Sequence, residues 1–257
     1  MPRKDVQAKA PASRNWRMWV RVILWAGMFA CGAWASKQAE SYLLRDPQFD
    51  FQDLQIGGTR YTNRARIQAV FAPDLGKSIY HIPLAERRRH LLAIDWVLTA
   101  SVTRVWPNRI VVRITERTPV AFARLPLAGT VRHWLALIDD DGVLLSIPPK
   151  VRFRFPVLSG VTEDQTDEER RMRVRTMEHL LSDLGPQAKD ISEVNSASPQ
   201  EMRVIADVDG QAVELWLGDR HFRSRYLNFV NHYGEIRKHS EKAGVFDLRL
   251  DDRILAR

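Results

Sequence analysis

The chain has a single cysteine, Cys31, in 257 residues. An intramolecular disulfide is excluded, so packing must hold the folded part together, which a chain of this length can manage. One cysteine fits either redox compartment. Catalytic signatures are missing too. The seven histidines (His81, His90, His133, His179, His221, His232, His239) form no H-E-x-x-H and no close ligand spacing. The run Asp139-Asp140-Asp141 lacks the downstream Glu of an EF-hand loop. There is no G-x-S-x-G, P-loop or G-x-G-x-x-G. No catalytic residue, cofactor, metal or small-molecule substrate is therefore expected. Basic modules interleaved with aromatics, the mark of nucleic-acid binders, are absent as well, so no nucleic-acid partner is expected. Neither an internal repeat nor a low-complexity linker divides the chain.

What is present starts with an uneven charge. The formal net charge is +8. Arg3, Lys4, Lys9, Arg14, Arg17 and Arg21 against the one Asp5 give residues 1–21 a charge of +5, leaving +3 for the rest. The excess thus flanks an apolar segment, Val22 to Ser36, fifteen residues without a charge. That is the pattern of a cytoplasmic flank under the positive-inside bias. Fifteen residues rise about 22 Å, short of the roughly 30 Å hydrocarbon core. Snorkelling by Arg21 and Lys37 extends the reach, and Trp16, Trp19, Trp34 and Tyr42 suit the interfaces. A cleaved signal peptide remains open, with Ala33-Trp34-Ala35 as its cleavage site. A buried soluble helix and lipidation at Cys31 fit less well.

Beyond the segment, hydrophobic residues make up 45% of the whole chain and charged ones 27%, a balance that permits a core. Residues 37–47 continue as a helix up to Pro47. Phe51 to Ile56 reads as a strand ending at Gly57-Gly58. Thr62 is the expected N-cap of a helix carrying Ile67, Val70 and Phe71. Leu84, Leu91, Leu92 and Ile94 mark a second helix, with Glu86 to Arg89 on its wet side. Val97–Trp106 and Arg109–Arg117 are strands around a Trp106-Pro107-Asn108 turn, the second alternating on Ile110, Val112 and Ile114. Further strands are expected at Val120–Leu125, Val131–Ile138, Gly142–Ser146, Met202–Val208, Ala212–Leu217 and Phe246–Leu250, with a short one at Ile254–Arg257. Amphipathic helices are expected over Glu168–Leu184 (on Met172, Val174, Met177, Leu180, Leu181, Leu184) and Asp219–Lys238 (on Phe222, Tyr226, Phe229, Val230, Tyr233).

Taken in order, these residues resemble the FtsQ/DivIB family of bacterial cell-division proteins. Leu54 to Gly58, Tyr61-Thr62 with Ile67, and the run from Trp96-Val97 through Ala100-Ser101-Val102, Arg104, Trp106-Pro107 and Ile110 to Glu116-Arg117-Thr118-Pro119-Val120-Ala121 match its POTRA domain. Leu137 to Gly142, Phe155 to Gly160 and Phe246 to Leu250 match later signatures. Asp95 departs from the usual Pro, and Leu250 from the usual Tyr. The resemblance implies an α+β fold: a basic tail (1–19), one transmembrane helix (20–36), a juxtamembrane helix (37–48), a β-α-α-β-β POTRA-like domain (49–118), and a β-rich partner-binding domain with two helices (119–257). It implies type II topology, which favours a retained helix, with the lipid bilayer met through that one helix. It also implies a scaffold that binds FtsB/FtsL-type division proteins and other divisome components, linking early to late division proteins during septum assembly and septal peptidoglycan synthesis, at the division site of the inner membrane with the body outside. Strand addition at the C-terminal edge would engage Phe246, Asp247, Leu248, Arg249, Leu250 and Asp252. Trp106-Pro107 and Glu116-Arg117 read as fold determinants. Alternative readings are a POTRA-type chaperone, assembly or secretion factor, for whose C-terminal barrel the chain has no room, and a membrane-tethered cell-envelope hydrolase.

Overall fold

The computed structural model describes residues 16–127, 129–149, 151–198, 200–240, 243–250 and 253–256. The fold begins with α1 (Trp16–Arg45), thirty residues long. Within it, the 22-residue stretch Met18–Ala39 is apolar enough to cross a membrane and is not buried by the rest of the chain. At 1.5 Å per residue this stretch spans about 33 Å, enough for a bilayer core. The expected shortness of the segment disappears because the helix runs on past Ser36 without a break.

A 3-10 turn (Pro47–Phe49), capped by Asp46, leads into a three-stranded sheet. Its elements are β1 (Asp53–Gly57), α2 (Arg64–Phe71), α3 (Leu84–Leu92), β2 (Val97–Val105) and β3 (Arg109–Glu116). β3 is central, parallel to β1 and antiparallel to β2. Its alternation works as expected: Ile110, Val112 and Ile114 are buried against Ile67, Phe71 and Leu91 of the helices. Gly58 turns the chain at φ +83, where a Cβ would lie 1.9 Å from the Ile114 carbonyl oxygen, so only glycine fits.

Two local expectations need correction. The N-cap of α2 is Asn63, whose side chain accepts from Ala65 N, and not Thr62. Thr62 instead gives its backbone N–H to Glu116 Oε1 at 2.6 Å. Arg87 is not on the wet side of α3. It forks onto Asp74 (Nε–Oδ2 2.6 Å, Nη2–Oδ1 2.9 Å), and Asp74 is 1% exposed. Helical spacing puts Arg87 near the core side, and the buried carboxylate supplies the partner that lets a cation lie there.

The second sheet contains β4 (Pro119–Pro126), β5 (His133–Asp139), β6 (Leu144–Leu145), β7 (Val157–Ser159), β8 (Ile191–Asn195), β9 (Met202–Val208), β10 (Gln211–Gly218), β11 (Val245–Asp247) and β12 (Leu255–Ala256). Its order is β12-β11-β10-β9-β8-β7-β4-β5-β6. α4 (Asp167–Leu184) and α5 (Phe222–His239) pack against each other and bury one face each with the sheet in a single core. A full capping box between Thr166 and Glu169 starts α4, and acids fill its first turn, where the helix dipole favours them. Arg237, Lys238 and His239 close α5 on the complementary principle. Met172, expected in the core, is 54% exposed. Its neighbours Val174, Met177, Leu180 and Leu184 keep the apolar stripe without it.

The two sheets meet through an aromatic cluster. Trp96, Leu137 and Leu145 are buried together, with Tyr61, Phe153 and Phe155 packed on them. Trp96 Nε1 donates to the Ser146 carbonyl at 2.9 Å. Ser146 gives its backbone N–H (3.0 Å) and hydroxyl (2.6 Å) to Asp95 Oδ2. Asp95 thus ties the first sheet to the segment after β6.

Candidate partner-binding edge

The far end of the second sheet is built by α5 and the short strands after it. α5 is the crossover that lets β11 pair in parallel with β10, through Glu214↔Val245, Leu215↔Phe246 and Trp216↔Asp247. β12 then returns antiparallel on the other side of β11, with Phe246↔Ala256 and Asp247↔Leu255. The terminal strand of the sheet among the described residues is therefore Leu255–Ala256, and both its residues are exposed. β11 itself is paired on both sides and ends at Asp247, so it is not an open edge and does not run to Leu250.

The six expected site residues divide accordingly. Phe246 is fully buried, with its ring 4.9 Å from Phe229 between centroids. Leu248 is 3% exposed and closes the core. Asp247 is also buried, and its carboxylate takes the Arg249 guanidinium in a fork, Nε at 2.9 Å and Nη2 at 2.7 Å. That pairing holds the Arg249 guanidinium more firmly protonated than usual. Leu250 is 48% exposed. Asp252 lies outside the described residues. The structure thus leaves Arg249 and Leu250 reachable at the surface, with Arg249 held by the buried Asp247, while Phe246 and Leu248 serve the core.

Three supports were invisible in the sequence. Arg225, 8% exposed on α5, donates to the carbonyls of Leu217 (2.7 Å) and Arg249 (2.9 Å), tying the segment after β11 to β10 and the helix. Trp216 lies between two guanidinium groups, Arg203 at 4.3 Å and Arg249 at 5.1 Å from its ring centre. Such stacking fixes long side chains at low cost because a guanidinium is planar and weakly hydrated. Ile254 joins Leu248 and Leu250 around a groove of about 360 Å³, whose other wall is His221, which precedes α5, and Ser224, Arg225 and Asn228 of α5. A helical buried arginine has no periodicity signal beyond its place in the apolar stripe, one turn before Phe229. That position is the only clue the sequence held.

The carboxylate oxygens of Asp139, Asp140 and Asp141 lie within 4.8 Å of one another. Arg117 reaches Asp139 (2.7 Å) and Asp141 (3.4 Å), Arg171 reaches Asp141 (3.3 Å), and the Val143 N–H donates to Asp139. These contacts from within the chain supply cations and donors to the cluster, whose evident work is to hold the β5–β6 turn.

The comparisons agree with this architecture. Residues 49–117 match the family of FtsQ-type POTRA domains. The cell division protein FtsQ of Koribacter versatilis is 33% identical over 209 residues, covering 79% of this chain and 58% of that protein. The cell division protein FtsQ of Novosphingobium aromaticivorans is 31% identical over 234 residues, covering 90% of this chain and 68% of that protein. FtsQ of Myxococcus fulvus follows at 25% over 202 residues, or 76% and 68%. The chain therefore spans from under three fifths to about two thirds of the length of these relatives. The single apolar helix ahead of the POTRA domain is consistent with membrane anchoring. On the strength of the Novosphingobium match and the POTRA domain, the chain belongs to the FtsQ family of cell-division proteins.

Proposed function

We propose that this chain is a membrane-anchored scaffold of the bacterial division complex. The tail is cytoplasmic, α1 crosses the inner membrane once, and the body stands outside, at the septum. The partner-binding edge takes an extended segment of an FtsB-type protein, itself paired with FtsL, and so links early division proteins to septal peptidoglycan synthesis. The observation that carries this reading is the two-residue terminal strand Leu255–Ala256, exposed beside a groove lined by Leu248, Leu250 and Ile254. A sheet that ends this way presents unpaired N–H and C=O groups, which an incoming strand can satisfy, and a groove with one apolar and one polar wall to take its side chains. Arg249 beside it offers a fixed cation at the same place. The working parts are contacts, so the reading assigns no catalytic residue and no cofactor.

Fluorescently tagged protein in the host tests the proposal. Midcell bands and filamentous cells on depletion are expected. Even membrane labelling with normal division defeats it.

A further inference from the structure

The tip of the β2–β3 hairpin leaves Trp106 52% exposed. Its ring meets Phe49 edge-on (centroids 5.6 Å apart, planes at 84°), and Phe49 meets Tyr42 of α1 likewise (6.0 Å, 76°). Gln48 Nε2 donates to the Tyr42 hydroxyl at 3.0 Å. Tyr42 is 58% exposed and lies just beyond Ala39, where the stretch able to cross a membrane ends. α1 also touches the Ile79–His81 turn, whose Tyr80 is 52% exposed. Arg104, two residues before the tip, holds that turn by donating to the carbonyls of Ile79 (2.8 Å), Tyr80 (3.3 Å) and Ile82 (2.6 Å). Aromatic rings from four separate segments are thus gathered at one end of the first sheet, the end where α1 leaves the membrane-crossing stretch. The other end, at Val97 and Glu116, leads towards the second sheet, eight residues of strand or about 26 Å away.

Half-exposed Trp and Tyr rings beside a membrane-crossing helix have an ordinary physical use. Their apolar bodies and polar tips suit the headgroup layer, where one side is wet and the other is hydrocarbon. Lys77, 58% exposed two residues before the Ile79–His81 turn, lies 3.6 Å from the buried Asp74 carboxylate and turns its exposed side to the anionic headgroups. We infer that the Trp106 tip, with Tyr42 and Tyr80, seats in the headgroup layer of the bilayer and fixes how the first domain stands on the membrane. The inference rests on reading Met18–Ala39 as a membrane anchor.

The test uses the full chain with Cys31→Ser and a nitroxide on Val105→Cys, an exposed position beside Trp106. The host is a vesicle of phosphatidylglycerol and phosphatidylethanolamine. A label on Met172→Cys, exposed on α4, is the aqueous reference. Flotation with the vesicles is scored first, since failure to float overturns the anchor and the seating together. In protein that floats, oxygen collisions relative to those of a water-soluble nickel chelate should be several-fold higher at position 105 than at 172. Trp106→Ser, or Tyr80→Ser, whose ring lies outside both cores, should remove more than half of that difference. Floating protein with equal chelate access at both labels overturns the seating and leaves the anchor standing.

Discussion

The Asp247 carboxylate and the Arg249 guanidinium form a two-point fork, 2.9 and 2.7 Å, between residues only two apart. Asp247 is buried and Arg249 is partly exposed over Trp216. The fork therefore turns a buried carboxylate into a device that fixes a surface cation. Arg249→Ala leaves Asp247 short of donors, which costs about 1–3 kcal/mol in urea unfolding. Arg249→Lys keeps the charge but loses the fork and the stacking, so it falls between the two. Equal stability of all three proteins would show that the fork contributes nothing.

On the proposed function, Leu250 should separate binding from folding. It is half exposed and lines the groove. Leu250→Lys should weaken capture of an FtsB-type segment about tenfold, equivalent to about 1.4 kcal/mol. As a surface change it should leave the unfolding free energy within about 0.5 kcal/mol. Titration calorimetry beside urea unfolding reads both. Unchanged binding with unchanged stability would place the edge elsewhere.

Glu116 gives a pH signature. Burial works against its charge, but the N–H groups of Arg60, Tyr61 and Thr62 outweigh that and hold the carboxyl below its ordinary 4.5. A carboxyl lowered on folding binds fewer protons in the folded state. Its stabilisation is full above about pH 4.5 and fades as pH falls through the folded value. Wild type should exceed Glu116→Gln by about 1–3 kcal/mol at pH 7, and the gap should close in acid. A gap independent of pH would mean that shape, not charge, is what Glu116 supplies.

Asp74 and Arg87 form the most enclosed ion pair of the first domain among the described residues, with side chains 1% and 12% exposed. The guanidinium fork first of all, aided by the charges of Arg87 and Lys77, keeps the Asp74 carboxyl below its usual value against the pull of burial. Arg87→Ala strands a buried charge and should cost about 3–5 kcal/mol, whereas an Asp74→Leu, Arg87→Met double variant should recover most of it. Thermal unfolding of the three proteins decides the matter.

Asp95 links the two sheets through Ser146. Asp95→Ala should speed hydrogen exchange at the Ser146 amide and broaden the distribution of distances between labels on the two domains. Unchanged distances would show that the Trp96 cluster alone sets the angle.

Much of the fold was legible from patterning. β3 announced itself because Ile110, Val112 and Ile114 alternate over a sheet covered on one face. β9 was placed to the residue for the same reason. β7 was missed because three residues in a central, two-sided position show no alternation. β11 was drawn too long because Leu248 is as apolar as a strand residue, although it is buried beyond the last pair. Arg87 and Arg225 were misread or passed over because a buried cation is justified only by partners far along the chain, Asp74 in one case and two carbonyls in the other. The candidate edge was legible to its neighbourhood: the short strand expected at Ile254–Arg257 forms as Leu255–Ala256 and is outermost among the described residues, whereas the site residues were placed on the strand inside it.

The strand order has a mechanical consequence. β12 ends the second sheet at one side and β6 ends it at the other, next to the Ser146 that the first domain clasps. Eight interstrand steps of about 4.8 Å separate them, a stand-off of about 38 Å. A segment added to β12 would hang from one uninterrupted ladder whose opposite rail is bolted to the first domain. Tension on it would load the strands from the outside in a peel, and the two-residue rung at Leu255–Ala256 would give way before the seven-residue pairings of β9 with β10 and of β4 with β5.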